Sequence, residues 1–417
     1  MNGNVVVIGA GFGGLQCARS LARTPFEVVL IDRNDYHLFT PLLYQVASSL
    51  LNPSDIGYPV RSVFRGVPNV RYRMGDVTRV DLARRLVHPS DGPAESYDRL
   101  VIATGASVNF FGQDAIAAAS HTLGDLPNAL ELRNHVLRCF EAASTTADPA
   151  ARATWLTFVI VGGGPTGVEY AGALAELIRL VAGRDYSTIG RESVRMVLLE
   201  GQDELLPAFP VSLGAHARGR LTRFGIDVRV GTRVEGVRDE TITLDTGERL
   251  DARTLVWAAG VQPSGLVRSL EVAKRQSGRI AVDAYLAVPG CIGVYAIGDA
   301  AGCIEGAAEL PMLSAPAMQQ GRRVARNFLR EARGQAPRPF RYRDKGIMAT
   351  IGRHAGVAKF GRLALRGFPG WVAWLVVHLY FIIGFRNRFA VLSLWAWNYF
   401  LHDRPIRFVV RAAPPKT

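Results

Sequence analysis

Near its N-terminus the chain reads Val5-Val6-Val7-Ile8-Gly9-Ala10-Gly11-Phe12-Gly13-Gly14. The continuous apolar run is typical of a strand that is buried on both faces of a parallel sheet. Glycines then follow at the three positions of G-x-G-x-x-G, a tight turn after which a helix presents its N-terminal amides to a pyrophosphate. A side chain at Gly11 would collide with the phosphates, and one at Gly14 would hold the helix away from the strand. The pattern predicts a dinucleotide-binding turn that uses Gly9, Gly11 and Gly14.

An acidic residue completes this first unit. The next predicted strand, residues 27–31, ends at Asp32, eighteen residues after Gly14. A carboxylate at that place accepts hydrogen bonds from ribose hydroxyls. A flexible glycine turn is the alternative, but the order of strand, glycines, helix, strand and acid favours the dinucleotide site.

The same arrangement occurs a second time. Phe158-Val159-Ile160-Val161 precedes Gly162-Gly163-Gly164-Pro165-Thr166-Gly167, and a helix is predicted over residues 168–181. Glu200 ends the next predicted strand, residues 195–199, where a negative charge binds a 2′-hydroxyl and repels a 2′-phosphate. Gly162, Gly164, Gly167 and Glu200 therefore predict binding of NADH rather than NADPH. A basic residue such as Arg233 beside Glu200 would offset that preference.

Two dinucleotide sites in one chain indicate two different ligands, since a single nucleotide needs only one site. The first is expected to hold FAD because its unit is completed by a distant segment. The second is expected to hold NADH because it is inserted and self-contained.

Composition is that of a globular enzyme, with 417 residues, 48% hydrophobic and 20% charged. The cysteines, Cys17, Cys139, Cys291 and Cys303, lack the paired spacing of a zinc site or a redox disulfide. His354 and His378 have no second ligand at metal-binding spacing, so no metal site is predicted. No signal peptide is recognised, which favours a cytoplasmic protein.

Three further motifs give the chain a family resemblance. They are Leu100-Val101-Ile102-Ala103-Thr104-Gly105, Leu255-Val256-Trp257-Ala258-Ala259-Gly260, and Cys291-Ile292-Gly293-Val294-Tyr295-Ala296-Ile297-Gly298-Asp299. In this order they resemble the glutathione-reductase-like flavoproteins, in which an NAD domain interrupts an FAD domain. The resemblance implies that Ala103, Thr104, Gly105 and Asp299 bind FAD, with Asp299 on the ribityl chain. Ala259 and Gly260 would then border the second nucleotide.

Within that group the chain resembles the type II NADH dehydrogenases, which are single-subunit NADH:quinone oxidoreductases that pump no protons. The closer match lies in Phe39-Thr40-Pro41-Leu42-Leu43-Tyr44-Gln45, in Gly167-Val168-Glu169, in Ala317-Met318-Gln319-Gln320-Gly321, and in Asp344-Lys345-Gly346 with Met348-Ala349-Thr350-Ile351-Gly352-Arg353. One position departs from the family motif A-Q-x-A-x-Q, because Ala315 replaces its first glutamine. That departure keeps open a soluble NAD(P)H diaphorase or ferredoxin-type reductase, and a non-enzymatic nucleotide sensor is a further alternative.

The resemblance implies roles for five residues. Glu169 would orient the nicotinamide or move protons at the flavin, unless it is a solvated or capping carboxylate. Gln319 would contact the quinone headgroup, unless it binds FAD alone. Lys345 would hydrogen-bond the isoalloxazine and stabilise its reduced anion, unless it pairs with the aspartate before it. Pro41 and Gln45 would lie on a helix beneath the flavin ring.

The C-terminal region differs from the rest in charge and hydropathy. Residues 341–417 hold thirteen Lys or Arg and two Asp, which is +11 of the chain's net charge of +13. No nucleic-acid-binding motif accompanies this charge, so a lipid surface is the expected partner. Residues 367–385 carry no charge, and Trp395, Trp397 and Tyr399 are of the types enriched at membrane interfaces.

Proline and glycine at 369–370 should interrupt the apolar segment and leave a helix over 371–385. At roughly 1.5 Å per residue it is too short for a bilayer core of about 30 Å. We expect it to lie in the interface, held at anionic headgroups by nearby arginines. A buried core helix and a helix that spans the bilayer are the alternatives. The arginines are Arg386, Arg388, Arg404, Arg407 and Arg411.

The predicted fold is α/β, with two Rossmann-like dinucleotide-binding domains in the glutathione-reductase-like FAD/NAD(P) arrangement and a C-terminal membrane-associating helical region. The predicted domains are 1–120 (FAD, first part), 121–154 (helical connection), 155–264 (NADH), 265–335 (FAD, second part) and 336–417 (membrane anchor). We expect a peripheral enzyme on the cytoplasmic face of the cell membrane, with a quinone substrate and no nucleic-acid partner. A homodimer is left open.

Overall fold

A computed structural model describes residues 3–306, 308–404 and 406–409. The chain divides into two compact units. The first unit comprises Met1–Leu38, Gly57–Ser107 and Val261–Lys345, and it contains the N-terminal glycine turn. The second unit comprises Phe39–Ile56, Val108–Gly260 and Gly346–Thr417, and it contains the second glycine turn.

The helices are α1 (Phe12–Leu21), α2 (Leu43–Ala47), α3 (Pro53–Ile56), α4 (Val60–Val63), α5 (Asp114–Ala119), α6 (Leu126–Thr145), α7 (Pro149–Trp155), α8 (Pro165–Val181), α9 (Val211–Arg223), α10 (Gly265–Ser269), α11 (Ser314–Glu331), α12 (Phe368–Phe381) and α13 (Phe385–Leu401). The strands are β1 (Asn4–Ile8), β2 (Glu27–Asp32), β3 (Tyr36–Leu38), β4 (Gly57–Pro59), β5 (Val70–Met74), β6 (Val77–Asp81), β7 (Leu86–Pro89), β8 (Glu95–Ser96), β9 (Arg99–Ile102), β10 (Ala106–Val108), β11 (Ser120–Thr122), β12 (Thr157–Val161), β13 (Arg195–Leu199), β14 (Ile226–Arg229), β15 (Val234–Arg238), β16 (Thr241–Leu244), β17 (Arg249–Asp251), β18 (Thr254–Trp257), β19 (Val261–Pro263), β20 (Ile280–Ala281), β21 (Val294–Ala296), β22 (Ala301–Gly302), β23 (Ile304–Glu305), β24 (Ala308–Glu309), β25 (Ile347–Thr350), β26 (Gly356–Phe360) and β27 (Leu363–Gly367).

A five-stranded parallel sheet forms the centre of the first unit, in the order β21-β9-β1-β2-β5. Strand β1 lies in the middle and pairs Val7 with Leu30 on one side and with Val101 on the other. This position explains why the strand is apolar at every residue from Val5 to Ile8, since both faces are covered. Helix α1 begins at Phe12, four residues after the carboxyl end of β1 at Ile8.

The second unit repeats this arrangement with a parallel sheet in the order β11-β18-β12-β13-β14. Strand β12 is central and fully buried, and α8 follows it after the glycine turn. The α/β fold with two glycine-turn units is therefore confirmed. In open sheets of this kind ligands bind beyond the carboxyl ends of the strands, which is where both glycine turns lie.

The C-terminal apolar segment differs from its prediction. Helix α12 begins at Phe368, because Pro369 lies in the first turn, where its missing N–H costs nothing. It ends at Phe381, and Gly384, with φ of +88°, precedes a second helix, α13. The prediction of one helix over 371–385 is therefore wrong at both ends. No helix among the described residues is long and apolar enough to cross a membrane.

Arginine side chains cap both C-terminal helices. Arg388 donates from Nε to the carbonyl of Ile382 and from Nη2 to that of Tyr380, at the end of α12. Arg353 donates from Nη2 to the carbonyl of Asn398, near the end of α13. Guanidinium groups at these carbonyls satisfy orphan acceptors and oppose the negative end of the helix dipole.

The arginines predicted to meet lipid headgroups therefore have different surroundings. Arg386 is exposed, whereas Arg388 is tied to the end of α12. Arg407 pairs with Asp185 and Asp403, each at 3.0 Å. For Arg404, which is 1% exposed, the headgroup prediction is wrong. Arg411 and the rest of residues 410–417 lie outside the described residues.

Candidate functional site

The first glycine turn, which we call the first cradle, leaves space at its middle glycine. Gly9 has φ of +103°, and a Cβ there would overlap the carbonyl of Ala103. A Cβ at Gly14 would overlap the carbonyl oxygen of Gly9, so α1 packs directly on the turn. A Cβ on Gly11 would meet no protein atom within 4 Å. The chain therefore requires two of these glycines for its own packing, whereas Gly11 borders open space suited to a phosphate group.

Asp32 closes the first cradle. Its Oδ2 accepts a hydrogen bond from the N–H of Ala10 at 2.6 Å, and its Oδ1 accepts one from Asn34 at 2.8 Å. Burial raises the pKa of the Asp32 carboxyl, and these two backbone donors partly offset the rise. Each carboxylate oxygen retains a further lone pair, so Asp32 can still accept ribose hydroxyls.

A second acid lies beside the first cradle. Asp299 belongs to a 3₁₀ turn, Gly298–Ala300, and burial raises its pKa while Arg279 opposes the rise. The turn is fixed because Gln320 Oε1 accepts the N–H of Gly298 at 2.6 Å. The same segment adjoins the cradle, since a Cβ on Gly13 would lie 3.2 Å from Ile297. An open pyrophosphate space with two flanking carboxylates fits FAD.

The residues of the Ala103-Thr104-Gly105 motif lie at the same edge of the sheet. The N–H of Ala103 donates to the carbonyl of Ile8, the last residue of β1 before the cradle. Thr104 Oγ1 is 2.7 Å from Ser264 Oγ, and Gly105 has φ of +66°.

The second cradle has the same construction. Gly162 has φ of +112°, and a Cβ on Gly167 would overlap its carbonyl oxygen, whereas Gly164 again borders open space. Glu200 Oε2 accepts the N–H of Gly163 at 2.5 Å, and its Oε1 accepts that of Gln202 at 2.8 Å. The arrangement fits a second dinucleotide.

Two features border this second cradle. Arg233 lies beside Glu200, since a Cβ on Gly201 would come within 2.9 Å of its Nε. The Ala259-Gly260 segment leaves β18 next to the cradle, with Gly260 at φ of +78°. The structure thus brings Gly162, Gly164, Gly167, Glu200 and that segment to one edge of the sheet.

Gln319 and Lys345 lie in the first unit. The Gln319 amide makes two hydrogen bonds of 3.0 Å with the backbone of Arg343, one as donor and one as acceptor. Lys345 follows that backbone in an exposed segment without regular structure. Gln319 therefore holds the segment that carries Lys345.

A cleft in the second unit contains Glu169. This residue lies in the second turn of α8, 8% exposed, and its Oε1 accepts the N–H of Thr350 at 3.1 Å and the indole N–H of Trp374 at 3.0 Å. Burial raises the pKa of Glu169 to about 8, and the two donors partly offset the rise. Its carboxyl therefore exchanges a proton near neutral pH. We call this the substrate cleft, and it is also lined by Tyr44, Gln45, Glu176, Arg353, Trp395 and Arg404.

Gln45 is buried at the wall of the substrate cleft. Its Nε2 donates to the Tyr44 hydroxyl at 2.9 Å, and its Oε1 accepts the indole N–H of Trp395 at 2.8 Å. Pro41 lies before α2, in the 3₁₀ turn Thr40–Leu42. Thus the predicted residues Gln45 and Glu169 meet in one cleft.

Arg404 is a buried cation that also lines the cleft. Its Nη1 donates to the carbonyls of Ser48 (2.7 Å) and Ala173 (2.9 Å), and its Nη2 pairs with Glu176 at 2.9 Å. Burial lowers the pKa of the guanidinium, and Glu176 partly offsets that effect.

Sequence reasoning assigned Arg404 and Trp395 to the membrane surface and gave Trp374 no role. No local sequence pattern distinguishes these buried side chains from the exposed ones on the same segment. Among the residues described, no three His, Cys, Asp or Glu side chains are placed to hold a metal ion.

Comparisons with known proteins agree with this geometry. Residues 3–321 match the family model of the pyridine nucleotide-disulphide oxidoreductases. The chain is 38% identical over 408 residues to the type II NADH:quinone oxidoreductase Ndh of Mycobacterium tuberculosis, covering 94% of this chain and 87% of that protein. It is 36% identical to NdhA of the same organism over 411 residues, covering 95% and 87%.

Among solved structures, NDH2 from Plasmodium falciparum in complex with NADH shares the fold, with a TM-score of 0.91 at 19% identity over 97% of this chain and 100% of that one. The two Mycobacterium tuberculosis relatives align with nearly the whole chain, and more than a third of the aligned residues are identical. The chain therefore belongs to the pyridine nucleotide-disulphide oxidoreductases and, within them, to the type II NADH:quinone oxidoreductases.

Proposed function

We propose that this protein oxidises NADH and reduces a quinone through bound FAD, without pumping protons. The balanced reaction is NADH + H⁺ + quinone → NAD⁺ + quinol. The observation that carries the proposal is the pair of cradles, each with open space at its middle glycine and a carboxylate at its edge. The relatives named NADH:quinone oxidoreductases support the choice of donor and acceptor.

FAD, when bound, supplies the redox chemistry, because it accepts a hydride and gives up two electrons. The residues of the chain bind and orient FAD, NADH and the quinone, and they supply a proton to the quinone. The first cradle with Asp32 and Asp299 would hold FAD, and the second with Glu200 would hold NADH. In the substrate cleft the aromatic rings of Tyr44 and Trp395 provide flat apolar walls for a quinone ring.

Three predicted roles complete this proposal. Glu169, neutral below about pH 8, would donate a proton to the reduced quinone. Lys345 would stabilise the reduced isoalloxazine by charge. Gln319 would contact the quinone headgroup, although its bonds to Arg343 equally support a role in placing Lys345.

The test uses the full chain purified in detergent with FAD. Anaerobic NADH should bleach the flavin spectrum, and menaquinone or ubiquinone analogues should restore it with formation of quinol. NADPH should bleach it more slowly, because Glu200 is hydrogen-bonded to the cradle at Gly163 whereas the neighbouring Arg233 is exposed and its charge is screened by water. Equal rates with NADH and NADPH would show that Arg233 offsets the repulsion of the 2′-phosphate by Glu200. If bleached enzyme reoxidised with soluble dyes or ferredoxin but with no quinone, the diaphorase alternative would replace this proposal. Persistent colour with excess NADH would exclude both.

We further propose that α12 and α13 attach the protein to a lipid surface on the cytoplasmic side, where NADH is present. Their exposed face, which we call the apolar stripe, carries one large apolar residue at nearly every turn. A continuous exposed apolar surface along two helices is typical of a contact with a membrane or with another protein. Exposed Arg386 beside it favours anionic lipid. The stripe comprises Phe368, Val372, Val376, Tyr380, Phe385, Phe389, Leu392, Trp397 and Phe400.

Polar substitution in the apolar stripe is expected to release the protein from lipid. Val376→Glu with Phe389→Glu removes two side chains worth roughly 1.5–3 kcal/mol each when buried, so binding to anionic phospholipid vesicles should fall by at least about a hundredfold. Vesicle co-sedimentation measures this. Val211→Glu with Ile292→Glu, at residues 63% and 82% exposed elsewhere, is the matched control.

Equal binding by both double variants would contradict the lipid proposal. If the stripe variant instead changed the molecular mass from dimer to monomer in light scattering, the stripe would be an interface between two copies of the chain. That outcome would make the protein a homodimer through these helices.

A further inference from the structure

The two hydrogen bonds to Glu169 converge on one oxygen. Oε1 accepts from the Thr350 N–H of β25 and from the Trp374 indole N–H of α12, at 3.1 and 3.0 Å. A backbone amide and an indole nitrogen can only donate. Oε1 is therefore an acceptor whether the acid is neutral or charged, so the proton of the neutral acid must reside on Oε2.

Trp374 is held tightly in this orientation. It is 1% exposed, and its ring stacks on His378 with centroids 4.0 Å apart and an interplanar angle of 22°. His378 Nδ1 is in turn 2.7 Å from the carbonyl of Trp374. The rings of Trp395 and Tyr44 lie at 5.6 and 6.4 Å. The indole N–H therefore has little freedom to leave Glu169.

We infer that Trp374 is a positioning residue for the proton-transfer step, fixing Glu169 Oε1 so that Oε2 presents the transferable proton to the cleft. This inference rests on the proposed function of the cleft as the quinone site. In the step the O–H bond at Oε2 breaks and an O–H bond forms on a quinone oxygen as the quinone gains two electrons. NADH oxidation supplies those electrons and one proton, Glu169 supplies the other proton, and solvent reprotonates the carboxylate.

The other ionisable groups around Glu169 do not supply this proton. Burial lowers the pKa of His378 to about 4, so it is neutral at working pH. Burial and the nearby Glu169 raise the pKa of Tyr44 well above its ordinary value, so the phenol stays neutral. Arg404 pairs with Glu176, and Arg353 caps α13.

The sign of the Trp374 effect follows from these contacts. A donor to a carboxylate stabilises the charged form and lowers its pKa, so loss of the indole N–H must raise the pKa of Glu169 above its present value of about 8. The neutral, proton-donating form then persists to higher pH. The alkaline limb of quinone reduction should move upward by the same amount.

The experiment is an infrared pH titration of the protonated carboxyl band in the detergent-purified, FAD-loaded protein, with Glu169→Gln used to assign the band. Trp374→Phe should move the midpoint upward by about one to two pH units, the equivalent of one hydrogen bond to a charged group. Trp395→Phe is the matched control, because it removes a buried indole N–H that bonds Gln45 rather than Glu169. Its midpoint should equal that of the unmodified protein.

Incorporation of 3-benzothienylalanine at position 374 keeps the ring size and removes only the N–H, which guards against misfolding of Trp374→Phe. An unchanged midpoint in this folded variant, or an equal shift in Trp395→Phe, would overturn the inference. Because the titration needs no turnover, the two proposals fail separately. A shifted midpoint without quinone reduction would refute the proposed function alone, whereas normal quinone reduction with an unshifted midpoint would refute only the role of Trp374.

Discussion

Gly164→Ala is expected to leave the protein folded and to weaken NADH binding, whereas Gly167→Ala is expected to destabilise the fold itself. A Cβ on Gly164 meets no protein atom within 4 Å, and its backbone φ of −70° suits alanine. The added methyl would enter only the space that a pyrophosphate needs. Displacing even one charge-assisted hydrogen bond costs about 1.5–3 kcal/mol, so KM for NADH should rise by about tenfold to a hundredfold.

At Gly167 the methyl group would overlap the carbonyl oxygen of Gly162, and α8 must then move away from β12. Overpacking of this kind costs about 1–3 kcal/mol and occasionally more. Thermal melting of the detergent-purified protein measures it. The rate of NADH oxidation measured at increasing NADH concentration gives KM. An unchanged KM in Gly164→Ala would refute the placement of the pyrophosphate at the second cradle.

The first cradle provides the matched pair. Gly11→Ala should retain the fold and lose FAD on gel filtration, whereas Gly14→Ala should lower the melting temperature because its Cβ would overlap the Gly9 carbonyl. If Gly11→Ala lost NADH binding but kept FAD, the first cradle would be the NADH site and the second cradle the FAD site.

Arg404→Met is expected to have the largest effect on stability. It leaves Glu176 without its ion-pair partner and removes the donor that the carbonyls of Ser48 and Ala173 share. Removing one partner of a buried ion pair typically costs about 3–5 kcal/mol in the free energy of unfolding, and we expect the lower end of that range because the Glu176 side chain is 17% exposed. Urea denaturation in detergent measures the loss.

The control is Arg407→Met, which removes an arginine three residues away with two ion pairs of similar length. Its partners Asp185 and Asp403 are each 40% exposed, so water compensates for the lost charge. We expect about 1 kcal/mol or less. If both variants lost the same free energy of unfolding, the burial of Arg404 would make no additional contribution to stability.

Local patterns predicted the parts of the fold that depend on neighbouring residues. The apolar runs of β1 and β12 and the spacing of the glycines placed both cradles, because a buried parallel strand and a tight turn are specified within about ten residues. The carboxylates at Asp32 and Glu200 followed from the same unit. Pro369 misled the prediction of α12, because a proline in the first helical turn looks the same in sequence as one that breaks a helix.

The walls of the substrate cleft could not be predicted in this way. Trp395 bonds Gln45 from 350 positions along the chain, and Arg404 bonds Ser48 from 356 positions away. Helix α12 is apolar around its whole circumference, so periodicity does not show which of its rings faces the protein. Trp374 and Trp395 were thus indistinguishable from the exposed Trp397 until the fold placed them.

The burial of Arg404 has a practical consequence for testing the proposed lipid contact. A cut before Phe368 would remove Trp374, Trp395 and Arg404 together with the apolar stripe, and the loss of activity would then say nothing about lipid. Exchanging Val376, Tyr380 and Phe389 for polar residues changes only the outward side of the helices. Substitution on the exposed surface of the full-length chain, rather than truncation, is therefore the way to separate a loss of lipid binding from damage to the cleft.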